Sequence, residues 1–209
     1  MLDNVKWLGH SSIKIFSNKI IYIDPYNIKN FYNDADLIFI THNHHDHYSE
    51  DDIKKCLKEN TKIIVTIDLY NRVLELGFKE SNIIIVTPNK NYKIDNIIFD
   101  TIPSYNTNKS FHPKENNWVG YIISIDNIKY YIAGDTDITN EAKSVKCDVA
   151  FLPIGGVYTM DYQEASILTN IINPKIVVPI HYGTIVGTKN DAENFKNSIN
   201  SNIRCEILQ

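Results

Sequence analysis

Short blocks rich in Ile, Val, Tyr and Phe recur along the whole chain, at residues 13–16, 20–23, 37–40, 63–66, 83–86, 97–101, 119–125, 129–133, 149–152 and 176–180. β-Branched and aromatic residues suit a pleated, half-buried surface, so these blocks are predicted to be strands. Between some of them lie helix candidates at 50–59, 68–76, 161–173 and 191–199, several opening on Ser, Asp or Glu as a helix N-terminus favours. Ser49-Glu50-Asp51-Asp52 has the character of a capping box. Ser17-Asn18 and Asp126-Asn127 each separate two apolar blocks, a hairpin signature. Hairpins followed by alternating strands and helices predict sheets covered by helices, and the same order past the midpoint hints at internal duplication.

Composition narrows this picture without redirecting it. A chain of 209 residues, 43% hydrophobic and 22% charged, is ordinary for a globular protein and long enough for one domain with a substantial core. No low-complexity or Pro/Gly-rich linker divides it, so a single domain over residues 1–209 is expected. The net charge of −4 and interspersed charges give no reason to expect nucleic-acid binding. The N-terminus carries no basic stretch followed by an apolar segment, and no apolar run approaches membrane-spanning length, so neither export nor membrane insertion is expected. Cys56, Cys147 and Cys205 are odd in number and widely spaced; they suit packing in a reducing compartment, and a cytoplasmic location is the expectation. Oligomeric state is not legible, and a homo-oligomer stays open.

The chemistry concentrates in His42-Asn43-His44-His45-Asp46-His47, directly after the apolar run 37–40 and before the capped helix at Ser49. In an extended segment alternate side chains share a face, so His42 and His44 can reach one ion while a following turn directs Asp46 and His47 at a second. His45 interrupts the pattern and points to the surface or toward its neighbours' outer atoms. Imidazoles with a few carboxylates suit Zn²⁺ best, and Mn²⁺ or Fe²⁺ are alternatives. Further polar groups close other apolar runs: Asp24-Pro25, Gly134-Asp135-Thr136-Asp137 and His181-Tyr182-Gly183. Strand C-termini are where open α/β architectures place their sites. Taken singly, each has an ordinary structural reading as a turn residue.

His42-x-His44-x-Asp46-His47, Gly134-Asp135 and His181 resemble, in order and context, the motifs of the metallo-β-lactamase superfamily. Trp7-Leu8-Gly9-His10-Ser11, Asp24-Pro25, Gly155-Gly156-Val157-Tyr158-Thr159-Met160 and Pro179-Ile180-His181-Tyr182 look like the branch that contains ascorbate-6-phosphate lactonase and N-acyl-phosphatidylethanolamine phospholipase D. The resemblance implies an α/β fold, a four-layer αββα sandwich. It also implies His42 and His44 on one metal, Asp46, His47 and His181 on a second, and Asp135 bridging. One position departs: Pro103-Ser104-Tyr105-Asn106 places Asn106 where the family supplies a further histidine, and His112, inside the long polar stretch 104–117, is expected to fold back as that ligand.

Such a site implies a hydrolase with two divalent ions, in which an acidified bridging water attacks a carbonyl or phosphoryl centre. Asp46 is expected to orient the hydroxide, and His10 or Tyr182 to donate hydrogen bonds to the developing oxyanion. Asp24 is expected to accept the outer N–H of a ligand imidazole. Only 46 positions separate Asp135 from His181, too few for the insertion of the superfamily's large nucleases, and the 28 residues after His181 barely accommodate a glyoxalase-type helical domain. A small ester, lactone, amide or phosphoester is the substrate expected, with a phosphorylated lactone, ester or amide as the leading class. The competing class is a metal-binding protein without hydrolytic activity, a redox diiron scaffold or a degenerate regulatory member.

Overall fold

The computed structural model describes residues 1–208 and divides into two compact units, Met1–Thr87 and a second beginning at Pro88. The first unit runs β1 (Val5–Gly9), β2 (Ser12–Phe16), β3 (Ile20–Ile23), β4 (Ala35–Phe39), α1 (Glu50–Cys56), β5 (Leu57–Thr66), α2 (Tyr70–Glu75) and β6 (Ile83–Val86). Its sheet has the order β1-β2-β3-β4-β5-β6, antiparallel as far as β3 and parallel from β3 to β6. Tyr22, Ile38, Ile63 and Val65 pack from the strands onto Ile53 and Cys56 of α1 and Val73 of α2. The alternate positions Ile21, Ile23, Leu37, Phe39 and Ile64 are just as buried. Strands buried on both faces read as unbroken apolar runs, which is the pattern of 37–40 and 63–66.

The first helix stops earlier than its sequence predicts. Leu57 turns extended (ψ 139°), and Thr61 Oγ1 accepts from Lys58 N at 2.9 Å while donating to Ala35 O at 2.7 Å. Pairing with β4 therefore takes Leu57-Lys58-Glu59 into β5, overriding their helical propensity. At the other end Ser49 caps α1 through Asp52 N, and its hydroxyl donates to Asp52 Oδ2 at 2.7 Å. The same carboxylate also accepts from Asn27 N (2.8 Å) and Ile28 N (2.9 Å), tying down the loop after β3.

The second unit runs β7 (Asn91–Ile94), β8 (Ile97–Pro103), β9 (Val119–Ile125), β10 (Ile128–Ile132), α3 (Asn140–Lys143), β11 (Val149–Pro153), α4 (Tyr162–Ile172), β12 (Ile176–Ile180), α5 (Lys189–Ser198) and β13 (Arg204–Cys205). Its sheet follows chain order from β7 to β13, antiparallel to β10 and parallel beyond. Asp126 (φ 51°) and Asn127 (φ 63°) form the β9–β10 turn with both residues left-handed, as a type I′ hairpin requires. Asp161 and Glu164 close a capping box on α4, and Asn173 ends it at φ 48°. Asp191 is the third residue of α5 rather than its cap; Thr188 is the cap, so the helix begins before 191.

Both sheets thus begin as an antiparallel meander and finish as parallel crossovers, the repeated order expected from the pattern. The fold is mixed α/β with two sheets, as the sequence implied. Among the described residues no helix is long and apolar enough to cross a membrane. Cys56, Cys147 and Cys205 are free thiols, and burial pushes each up to about 12.

Candidate metal centre

Carboxyl ends of parallel strands carry the polar groups in both units: Asp24 follows β3, the 41–48 loop follows β4, Asp135 follows β10 and His181 follows β12. Three of the residues involved are held left-handed, His10 (φ 52°), Asp24 (φ 45°) and His181 (φ 57°). Such conformations are costly for residues bearing a Cβ and persist where the surroundings impose them.

In the first unit Asp24, fully buried, organises the loop. Its Oδ1 accepts from Thr41 N at 2.8 Å, and its Oδ2 lies 2.7 Å from both Thr41 Oγ1 and His47 Nδ1. An ionised carboxylate only accepts, so His47 carries its proton on Nδ1 and presents a lone pair at Nε2. Thr41 spends its single hydroxyl proton on Asp24 and therefore accepts from His42 Nδ1, 3.0 Å away. The nitrogen of His42 left with a lone pair is then Nε2, which lies 3.1 Å from His44 Nδ1. Two nitrogens on one tetrahedral zinc at 2.0–2.1 Å are about 3.3 Å apart, so this pair is spaced to share an ion. Asp46 sits with Oδ2 at 2.9 Å from His10 Nε2 and 3.7 Å from His47 Nε2. His10 is thereby committed to Asp46, while Trp7 Nε1 donates to its carbonyl at 2.9 Å. His45 is exposed, as its place out of pattern predicted.

The second unit gathers His112, Asp135 and His181, all buried. Asp135 Oδ2 lies 3.3 Å from His112 Nε2 and 3.1 Å from His181 Nε2. One carboxylate oxygen facing two imidazole nitrogens is the arrangement a shared ligand atom needs. Ser104 Oγ donates to Asp135 O at 3.0 Å, fixing the backbone there. The stretch 104–117 is ordered by Asp137, which accepts from Thr107 N (2.8 Å) and Lys109 Nζ (2.7 Å). Asn106 points into this loop, accepting from His112 N at 2.9 Å and donating to Tyr158 O at 3.0 Å. Tyr182 is buried, and burial raises its hydroxyl pKa, with Cys205 and Glu193 adding to the rise. Spacing alone does not mark Thr41 or Asn106 as an orienting group; a polar residue near a candidate histidine is their one sequence signal.

Gly155 exists to let His181 approach. A Cβ there would fall 2.6 Å from His181 O and 3.0 Å from its Nδ1, with Val186 Cγ2 at 2.5 Å. The backbone oxygen cannot yield as a flexible side chain does. Gly155→Ala is expected to cost about 1–3 kcal/mol of stability, the usual penalty of overpacking, and to displace His181. Thermal melting alongside metal titration checks this; an unchanged melting temperature with unchanged binding contradicts it.

A family model described as the β-lactamase superfamily domain matches residues 4–181. The chain belongs to this superfamily. More particularly, it is similar to a protein named UPF0173 metal-dependent hydrolase from Thermococcus onnurineus, 31% identical over 98% of this chain and 96% of the relative. Among solved structures it resembles Igni18, a metallo hydrolase from the hyperthermophilic archaeon Ignicoccus hospitalis, with a TM-score of 0.80 at 26% identity over 98% of this chain and 94% of that one. CmlA, a diiron β-hydroxylase from Streptomyces venezuelae, matches with a TM-score of 0.78 at 12% identity over 98% of this chain and 52% of that one, which shows a shared fold alone.

Proposed function

We propose that this superfamily member is a hydrolase holding two divalent metal ions, zinc by preference, and acting on a small ester or lactone. His42, His44 and His112 hold one ion, Asp46, His47 and His181 the other, and Asp135 serves both. The observation that carries the reading is the set of tautomers: buried carboxylate and hydroxyl partners occupy Nδ1 of His47 and His42, which presents Nε2 of each as a ligand atom. Nε2 of His112 and Nε2 of His181 face one oxygen of Asp135, so three donor atoms converge there. Imidazole-rich donors suit zinc, and the two carboxylates Asp46 and Asp135 leave room for Mn²⁺ or Fe²⁺.

Bound ions of this kind acidify water and polarise a carbonyl or phosphoryl oxygen. The chain's own residues do the rest. Asp46, held at Oδ2 by His10, is placed to orient a water proton. His10 acts through Asp46, in preference to donating to an oxyanion. Tyr182 is buried with Cys205 and Glu193 nearby, and no part in the reaction is assigned to it.

The substrate class rests on the surroundings of His112. Phe111 and Val157 are exposed, at 44% and 55%, and the Phe111 ring meets Tyr158 edge-on at 4.8 Å. Both cations of the same loop are paired, Lys109 with Asp137 and Lys114 with Glu141. An apolar rim without an uncommitted loop cation favours an apolar acyl or aryl group over a phosphorylated one.

The test is to strip the protein with chelator, reload it with Zn²⁺, Mn²⁺ or Fe²⁺, and assay esters, lactones, amides and phosphodiesters, each with apolar and phosphorylated members. Two ions per chain and zinc-restored turnover, greatest on an apolar ester or lactone, are expected. Full loading with no hydrolysis across the panel, or iron loading with oxygen consumption, defeats the assignment.

A further inference from the structure

We infer that Asn106 is a positioning residue that fixes the tautomer of His112, so that Nε2 is its ligand atom. The ligand role assigned to His112 rests on the function proposed above; the tautomer itself does not.

An amide side chain has an oxygen and a nitrogen of almost the same size, and its orientation must be settled by its partners. Here two backbone groups settle it. His112 N–H can only donate, and it meets Oδ1 at 2.9 Å. Tyr158 C=O can only accept, and it meets Nδ2 at 3.0 Å. A reversed amide would set donor against donor at one end and acceptor against acceptor at the other. Asn106 N also donates to His112 O at 2.8 Å, so the two residues are joined through main chain in both directions.

With Oδ1 thus identified, the ring of His112 has no choice. Its Nδ1 lies 3.1 Å from that oxygen. A lone pair there would face a lone pair, so Nδ1 carries a proton, and Nε2 is the nitrogen left to give up its own to a metal ion. The orienting chain therefore runs from the Tyr158 carbonyl through the Asn106 amide to the imidazole, and it ends on the nitrogen nearest Asp135, at 3.3 Å. An amide performs for His112 what the Asp24 carboxylate performs for His47, without adding charge. A neutral partner leaves the ring a weaker donor than a carboxylate does. His112 is thus the softer link of the ligand set.

Asn106 does not hold the loop by itself, because Asp137 independently anchors Thr107 and Lys109. That permits a test by substitution. Asn106→Leu removes both amide groups at nearly constant volume, and Asn106→Asp keeps an acceptor facing Nδ1. Imidazole ¹⁵N spectra of the metal-free full chain report the tautomer, and zinc competition titration reports affinity. Wild type and Asn106→Asp are expected to show His112 protonated at Nδ1, while Asn106→Leu shifts the proton wholly or partly to Nε2. Asn106→Leu is further expected to weaken one of two ions by about 10- to 100-fold, the range for loss of an orienting partner, with the second ion unaffected. An unchanged tautomer in Asn106→Leu, a switched one in Asn106→Asp, or an unchanged zinc affinity in Asn106→Leu overturns the inference. If Asn106→Leu does not fold, the Asn106→Asp spectrum decides. Wild-type protein that fails to take two ions counts against the proposed function and leaves the tautomer result standing.

Discussion

Replacing Asp135 with Asn is expected to lower turnover by about three orders of magnitude, close to 4 kcal/mol of transition-state stabilisation, and to reduce metal content below two ions per chain. The effect should be large because one oxygen serves two imidazoles: Oδ2 lies 3.3 Å from His112 Nε2 and 3.1 Å from His181 Nε2. An amide of the same shape loses the charge that lets a single oxygen satisfy two cations, and if its nitrogen turns inward it places N–H groups where lone pairs converge. Elemental analysis of the purified variant and steady-state rates on the best ester measure both quantities. Retention of two ions with turnover within tenfold of wild type would remove Asp135 from the ligand set.

Asp24→Asn should be nearly as damaging, by a different route. Thr41 N–H holds one oxygen of Asp24 at 2.8 Å, so the amide oxygen stays on that side and the NH₂ group faces His47 Nδ1 and Thr41 Oγ1. That nitrogen donates where the carboxylate accepted. His47 must then present a lone pair at Nδ1 and carry its proton on Nε2, the proposed ligand atom. Thr41, no longer able to give its proton to Asp24, is free to give it to His42 Nδ1 at 3.0 Å and to switch that ring as well. Metal affinity is expected to fall about 10- to 100-fold at each ion these histidines serve, with the folded state kept because shape and burial are conserved. Zinc titration together with a melting curve separates the two: a loss of affinity without a comparable loss of stability is the expected outcome, and full affinity would falsify the orienting role.

These expectations show where local pattern stops being informative. His42, His44, Asp46 and His47 are legible because one short loop carries them after an unbroken apolar run. The apolar blocks 20–23, 83–86, 119–125 and 176–180 coincide with β3, β6, β9 and β12. Asp161 and Asn173 bound α4 as their types predict. The strands that escape the pattern lie at sheet edges: β1, β7 and β13 carry polar, half-exposed or very short sequences. An edge strand is buried on fewer sides, so selection for apolar residues there is weaker. The end of α1 was illegible for another reason, since Leu57 is extended only because β4 lies beside it.

The second part of the site divides in the same way. Asp135 and His181 could be noticed as polar residues closing apolar runs, and His112 as the histidine inside an unusually long polar stretch. That Asn106 hydrogen-bonds His112 rather than standing in for it depends on a backbone turn of six residues and on Tyr158, 52 positions away.

By itself the sequence determined the chemistry available: which donors exist, that they close strands, and that the chain alternates strand and helix in a mixed α/β order. Those properties reside in residue type and short-range periodicity. Tertiary structure alone decided which nitrogen of His42, His47 and His112 is offered. A tautomer is set by the partner on the far side of the ring, and Asp24, Thr41 and Asn106 are brought to that position by strand pairing and loop closure that no local pattern encodes.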